Sequence, residues 1–301
     1  MPELPEVETV REGLEQAWVG RKVTEVILRR TGLRFPFPEN MVQRLTGQTI
    51  TQVRRRAKYL LIDTADGLVF LSHLGMSGRY TLIASSEKTR FEMIDASSNH
   101  SKFGELTGFE GRHDHMELQF DDGSVAVYTD PRRFGIVDLF ERAEEPIQSL
   151  LEHLGPEPLE QWTAEDAAIR CQGKRSPIKT TLLDQRFVVG VGNIYACEAL
   201  HRSGISPTLP THKLVRKDGK PTKALIELVK QVKDVLEAAI AVGGSTLNDF
   251  AAVDGSLGYF VHQFQVYDRE DGPCLKEGCN GTIERIVQSN RSTFLCPRCQ
   301  K

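Results

Sequence analysis

The sequence predicts an α+β protein: an N-terminal antiparallel β-sandwich or barrel with one leading helix, a mostly helical second domain, and a small metal-bound module at the end. Three observations carry this. Short β-like runs punctuated by turn residues crowd the chain before Arg142. Beyond Arg142 apolar residues recur at helical spacing. Four of the six cysteines lie at or after Cys274.

Taken in order, residues 5–19 place Val7, Val10, Leu14 and Ala17 at helical spacing, with Pro5 suited to the first turn and Gly20 to the stop. Strand-like runs follow at 22–28, 48–54, 59–63, 68–73, 116–120, 125–128 and 136–140. Asp66-Gly67 and Asp122-Gly123 are hairpin signals that join two pairs of these runs. Residues 84–112 are polar, rich in Ser and Gly and poorly periodic, and read as a surface insertion. The clearest helix is 222–242, where Leu225, Leu228, Val232, Val235, Leu236 and Ala239 share a face before Gly243-Gly244 end it. Pro156 and Pro158 mark the domain junction. The expected division is 1–142, 150–262 and 266–301.

A chain of 301 residues has room for two cores and a small appendage. Its net charge of -3 does not by itself point to nucleic acid, because phosphate binding depends on locally supplied cations. Two basic spots survive on this acidic chain: Arg54, Arg55, Arg56 and Lys58, and a stretch with Arg170, Lys174, Arg175, Lys179 and Arg186. No run approaches the ~20 apolar residues of a membrane span. The chain opens with Glu3, Glu6 and Glu8 where a signal peptide would be basic and then apolar. A cytoplasmic protein is expected, and in a reducing compartment its clustered cysteines favour metal over disulfide.

The spacing Cys274-x4-Cys279-x16-Cys296-x2-Cys299 sets two thiol pairs on turn-like sequence around a hairpin-length segment. Four thiolates in a closed tetrahedral shell suit one structural Zn2+, which lets so small a unit fold. Arg291 lies near the tip of that hairpin, within reach of a phosphate.

At the other end, a small residue after Met1 favours removal of the initiator, which exposes the amine of Pro2. Such an amine has a pKa near ~8 against ~10.4 for lysine, so far more of it is neutral and nucleophilic near pH 7. As a secondary amine it condenses with an aldehyde carbon to a cationic iminium, and Glu3 beside it is placed to give and take protons. Alone, an N-terminal Pro-Glu is an ordinary chain end. Thr129-Asp130-Pro131-Arg132-Arg133-Phe134-Gly135 is a tight turn presenting two arginines and an aromatic, suited either to a salt-bridged turn or to a wedge that kinks a duplex. In His73-Leu74-Gly75-Met76-Ser77-Gly78, Met76 is a second candidate wedge. Val188 to Ala196 puts Gly190 and Gly192 before a helix with Asn193 at its cap, where free N–H groups bind phosphate.

In this order the motifs resemble the formamidopyrimidine-DNA glycosylase family. The residues that carry the resemblance are Pro2 to Thr9, Arg55 to Leu61, His73 to Gly78, His113-Asp114-His115, Thr129 to Gly135, Gly155 to Leu159, Val188 to Ala196 and the cysteine module with Arg291 to Phe294. The resemblance implies a catalytic β-sandwich, a helix-two-turn-helix domain and a zinc finger that bind damaged double-stranded DNA as a monomer in the bacterial cytoplasm, at the nucleoid. It implies a bifunctional glycosylase and abasic-site lyase acting on oxidised purines, with Pro2 as Schiff-base nucleophile and Glu3 as proton donor. Lys58 and Arg291 would serve proton transfer or phosphate binding during β,δ-elimination. His73 and Asn193 match phosphate-clamp positions, and His113, Arg132 and Lys174 other DNA contacts. Met76, Arg132 and Phe134 match the triad that fills the vacated stack, and residues 243–260 the loop over the flipped base. Period-2 alternation adds the expectation that Arg54, Arg56 and Lys58 form one positive stripe.

Three departures stand out. The first thiol pair is spaced by four residues where two are common, the 84–112 segment is long, and Ser77 stands where some relatives carry an acid. Two rival readings remain: a glycosylase of the endonuclease VIII type acting on oxidised pyrimidines, and a zinc-bearing DNA-binding protein that does not cut.

Overall fold

A computed structural model describes residues 2–85, 111–245 and 258–301. The 84–112 insertion and the loop expected over a flipped base fall largely outside the described residues. Two compact units divide the chain: Met1–Pro2, Glu6–Glu152 and Ser245–Gly258 in one, and Glu3–Pro5, His153–Gly244 and Tyr259–Lys301 in the other.

The first unit is a sandwich of two four-stranded antiparallel sheets with a leading helix α1 (Leu4–Trp18). One sheet has the order β1 (Val23–Leu28), β6 (Asp114–Phe120), β7 (Val125–Thr129), β5 (Arg79–Ile83). The other runs β2 (Ile50–Arg56), β3 (Tyr59–Thr64), β4 (Leu68–His73), β8 (Ile136–Glu141). Alternation explains the shared core: Val53, Leu60, Ile62, Phe70 and Leu139 from one sheet meet Val26, Met116, Leu118 and Tyr128 from the other. Helix α1 adds Val7, Val10, Leu14 and Trp18 to it, three of them the positions its periodicity marked. Both Asp-Gly hairpins form, with Gly67 and Gly123 at positive φ. Strand β5 and the short helix α2 (Met41–Leu45), each five residues long, were not anticipated.

The second unit is helical: α3 (Ala164–Cys171), α4 (Ile178–Leu182), α5 (Asn193–Ser203) and α6 (Lys223–Ile240). Helix α6 is the predicted one, started by Thr222, whose hydroxyl accepts from the Leu225 N–H at 3.2 Å, and closed by Gly243 and Gly244 at positive φ. Its apolar stripe packs with α3 to α5 around Trp162, Leu182, Tyr195 and Phe260. The hairpin β9 (Glu284–Gln288) and β10 (Arg291–Leu295) forms the last module, its tip at Ser289 and Asn290 both left-handed.

One glycine ties the sandwich's loops together. Gly75 has φ +63°, and a Cβ there would lie 2.5 Å from the Phe134 carbonyl carbon and 2.6 Å from the Gly135 nitrogen. Gly75→Ala is therefore expected to lower unfolding free energy by about 1–3 kcal/mol; an unchanged urea midpoint would contradict this contact.

Candidate active site and metal centre

The cysteine module brings its four thiols together as the spacing predicts. All four Sγ atoms lie within 4.8 Å of one another, with Cys274–Cys299 at 3.8 Å and Cys279–Cys296 at 3.7 Å. Tetrahedral zinc with Zn–S bonds of ~2.3 Å needs S···S edges of ~3.8 Å, so the donor set fits. The longer first knuckle leaves the ligands unchanged. It closes through the Cys279 N–H to the Lys276 carbonyl at 2.9 Å, and Gly281 is obligatory because a Cβ would lie 2.5 Å from Cys296 Sγ. Cysteine-held zinc here is structural, since four protein ligands leave no open position.

Glu3 occupies the place where a phosphate was expected. The N-terminus of α5 begins at Gly192, and its first free amides, Ile194 and Tyr195, donate to the Glu3 carboxylate at 3.2 and 3.5 Å. A Cβ at Gly192 would lie 2.1–2.5 Å from the Glu3 carboxylate, so only glycine lets the acid in. The Leu4 N–H donates to the Gly190 carbonyl at 3.0 Å and secures the same approach. The positive end of the helix thus holds a buried carboxylate of the chain itself.

Asn193 is the first residue of α5, and its side chain does not cap the helix. It donates to the Ser292 carbonyl at 2.9 Å and accepts from Lys179 Nζ at 2.7 Å. Lys179 was counted in a basic surface stretch; it is in fact only 1% exposed, and its ammonium also donates to Thr293 Oγ1 at 2.6 Å and the Ser292 carbonyl at 3.1 Å. Burial, with the charge of Arg291 adding to it, holds the Lys179 pKa below its ordinary value. Lys179 therefore joins α4, the start of α5 and β10, and so positions Asn193 and the strand that Arg291 begins. Glu198, fully buried on α5, accepts from the amides of Gln265, Val266 and Tyr267 at 2.9–3.1 Å. Sequence reasoning missed both roles. The only signal was a lone charge inside an apolar helical run. Lys174, by contrast, is half-exposed, with its ammonium 5.7 Å from the centre of the Phe187 ring.

In the sandwich, the Thr129–Gly135 turn is built around Asp130. Its carboxylate accepts from Ser77 Oγ at 2.6 Å and the Gly135 N–H at 2.8 Å, while Ser77 Oγ accepts the Arg132 N–H at 3.1 Å. Ser77 is thus a tie between the Met76 loop and the turn. At the tip Phe134 is 45% exposed and Arg132 stacks over its ring at 5.1 Å. Met76 is half-buried, and His113 contributes its carbonyl to the Asp130 N–H at 3.0 Å.

The expected Arg54–Arg56–Lys58 stripe is broken at both ends. Arg54 is held by Asp63 at 2.6 Å and Glu145 at 2.8 Å, and Arg55 pairs with Glu8 at 2.7 Å. Lys58 is not on a strand: Ala57 at φ +54° and Lys58 form the two-residue turn between Arg56 and Tyr59. Tyr59 pairs with His73 across β3 and β4, ring centres 4.9 Å apart. His73 Nδ1 accepts the Gly75 N–H at 3.0 Å, which puts the proton of the neutral ring on Nε2. Burial, then the charges of Lys58 and Arg34, push the His73 pKa down to about 4.

Three family models match the chain: the formamidopyrimidine-DNA glycosylase N-terminal domain over residues 1–137, the formamidopyrimidine-DNA glycosylase H2TH domain over 154–251, and a zinc finger found in FPG and IleRS over 272–301. The formamidopyrimidine-DNA glycosylase of Agrobacterium fabrum is 46% identical over 305 residues, and that of Sinorhizobium fredii 48% over 307, each with 100% of both chains covered. Among solved structures, a Lactococcus lactis FPG mutant in complex with a Fapy-dG containing DNA superposes with a TM-score of 0.82 at 30% identity over 100% of both chains. Lactococcus lactis Fpg with an abasic site containing DNA gives 0.81 at 29% identity, over 99% of both.

Two outcomes follow from the geometry. Unfolding the purified chain in a chromophoric chelator should release one zinc per chain, and Cys279→Ser should abolish most of that release; full retention would contradict the ligand set. The depressed His73 pKa means that the unfolded chain takes up a proton the folded one refuses between pH ~6.5 and about 4. Stability from this group is complete above that window and lost as pH falls through it. His73→Gln should accordingly lose less melting temperature than wild type on acidification from pH 7 to 5, and equal losses would argue against a buried neutral ring.

Proposed function

This chain belongs to the formamidopyrimidine-DNA glycosylase family, and we propose that it excises oxidised purines, 8-oxoguanine and formamidopyrimidines, from duplex DNA and then cleaves the strand as an abasic-site lyase. Its setting is base excision repair in the bacterial cytoplasm, where it acts as a monomer on nucleoid DNA.

The chemistry starts when Met1 is removed and Pro2 becomes a secondary amine. Its nitrogen attacks C1′ of the flipped nucleotide; the C1′–N bond to the base breaks, and the departing base takes up a proton. The adduct then loses its N–H proton, the C1′–O4′ bond breaks with O4′ taking up a proton, and the open sugar is held as an iminium that needs no further proton loss to accept electrons. Removal of a C2′ proton then expels the 3′ phosphate, and a second elimination expels the 5′ phosphate. Glu3 serves as the proton donor and Lys58 and Arg291 as phosphate ligands that also assist proton transfer. His73, His113, Lys174 and Asn193 hold the backbone. Met76, Arg132 and Phe134 fill the gap left by the flipped base, offsetting the few kcal/mol that flipping costs.

The observation that carries this reading is the seating of Glu3. The acid adjacent to Pro2 in sequence is fixed by two amides and by a glycine that admits nothing larger. A chain end with no chemistry has no need of a buried, oriented carboxylate next to its second residue. Support for the wedge comes from Phe134, a large apolar ring left exposed at a turn that Asp130 and Ser77 hold rigid.

Incubation with a duplex carrying 8-oxoguanine opposite cytosine, in the presence of borohydride, should trap a covalent protein–DNA adduct once mass spectrometry shows that Met1 is gone. Pro2→Gly should lose most of the trapping. Phe134→Ala should keep trapping at an abasic site while losing base excision. No adduct from the processed chain would sink the Pro2 mechanism, and faster processing of thymine glycol would favour the pyrimidine-directed rival.

A further inference from the structure

The first unit segregates its cations. Arg11, Arg21, Arg29, Arg44, Arg54, Arg55 and Arg142 each pair with a carboxylate. Among the described residues, Arg34, Arg79, Arg112, Arg132 and Arg133 have no acidic partner within ion-pair distance, and they converge on one place. Arg132 and Arg133 are in the Thr129–Gly135 turn. Arg79 lies opposite Thr129 in the sheet register, and Arg112 precedes His113, whose carbonyl holds Asp130. The acids beneath, Asp130 and Asp114, are buried and engaged with hydroxyl and amide donors.

Arg34 joins this group through a loop that no motif marked. Residues 31–37 fold back on themselves: Gly32 bridges Pro36, the Leu33 N–H donates to the Phe35 carbonyl at 2.9 Å, and the Phe37 N–H to the Thr31 carbonyl at 3.0 Å. A Cβ on Gly32 would meet the Phe35 carbonyl oxygen at 2.5 Å, so the loop has little freedom. The Arg34 N–H donates to the Gly135 carbonyl at 3.3 Å, fastening the loop to the turn. At its tip Arg34 is exposed and Phe35 is 51% exposed, with the guanidinium 5.7 Å from the ring centre. The charge of Arg34 is felt at both His73 and Tyr59. A pre-ordered, unneutralised guanidinium close to other unneutralised arginines is what a polyanion recognises, because no existing ion pair must be broken to bind it.

We propose that the Arg34–Phe35 loop is an additional DNA-backbone contact, with Arg34 binding a phosphate beside the one served by His73 and Phe35 covering the adjoining sugar. The proposal rests on the DNA-binding reading above. It also bears on how a chain of net charge -3 meets a duplex: several arginines without an acidic partner gather at one turn of the first unit, where they supply a local positive field.

The test measures binding of wild type, Arg34→Gln, Arg34→Lys and Arg44→Gln to an undamaged duplex and to one carrying a tetrahydrofuran abasic analogue, across ~50 to ~200 mM salt. Losing one phosphate contact should flatten the plot of log affinity against log salt by about one, so Arg34→Gln should lose about 3.5-fold less affinity over that range than wild type. Arg34→Lys should keep the wild-type slope, and Arg44→Gln, which removes a cation already paired with Glu141, should keep it too. A wild-type slope in Arg34→Gln overturns the proposal, and a lowered melting temperature with that slope would assign Arg34 a purely structural role. Equal flattening in Arg44→Gln overturns it as well, since net charge alone would then explain the effect. Failure of wild type to excise any lesion would sink the glycosylase reading; the undamaged duplex still tests Arg34 in that case, because a phosphate contact does not require the lesion.

Discussion

A buried ammonium organises the functional end of the second unit. Lys179 sits in a nearly water-free position, where an unpaired charge would cost several kcal/mol, so every donor of its ammonium must find an acceptor. It finds three of them on two separate segments: Asn193 at the start of α5, and the Ser292 carbonyl and Thr293 hydroxyl of β10. Zinc closes the module from its far side, and the lysine fixes how its hairpin meets the helix that receives Glu3.

The same constraint recurs with opposite sign. Glu198 gathers three consecutive amides at the entry to the metal module, Asp130 gathers the ends of the arginine turn, and Glu3 takes the first amides of α5. Each is a buried carboxylate whose desolvation is offset only by several good donors at once. A site made this way is rigid before its ligand arrives, because moving any one segment strands a charge. Glycine does complementary work where a carboxylate or a turn must come close, at Gly192 beside Glu3 and at Gly75 beside Phe134.

Surface charge is arranged by subtraction. Many arginines of the sandwich are paired with nearby acids, and those without an acidic partner at the Thr129–Gly135 turn are proposed to mark the face available to a polyanion. Counting Lys and Arg along the chain could not reveal this. Arg54 and Arg55 looked like the richest basic spot and are both paired, through partners 9, 91 and 47 residues away.

By itself the sequence determined the class of each layer and the chemistry on offer. Alternation and Asp-Gly turns specified an antiparallel sandwich or barrel, helical period specified α1 and α6, and thiol spacing specified the zinc site, because each signal is local and repeats within a few residues. Pro2, the turn with Arg132 and Phe134, and the glycines before α5 were visible as motifs for the same reason. Tertiary structure alone decided which charges are spent on the fold and which are left for a ligand. The α5 N-terminus went to Glu3, Lys179 went to the interior, and Arg34 was left without an acidic partner among the described residues. Those outcomes depend on groups far apart in the chain competing for the same donors and acceptors, and local sequence carries no record of who wins.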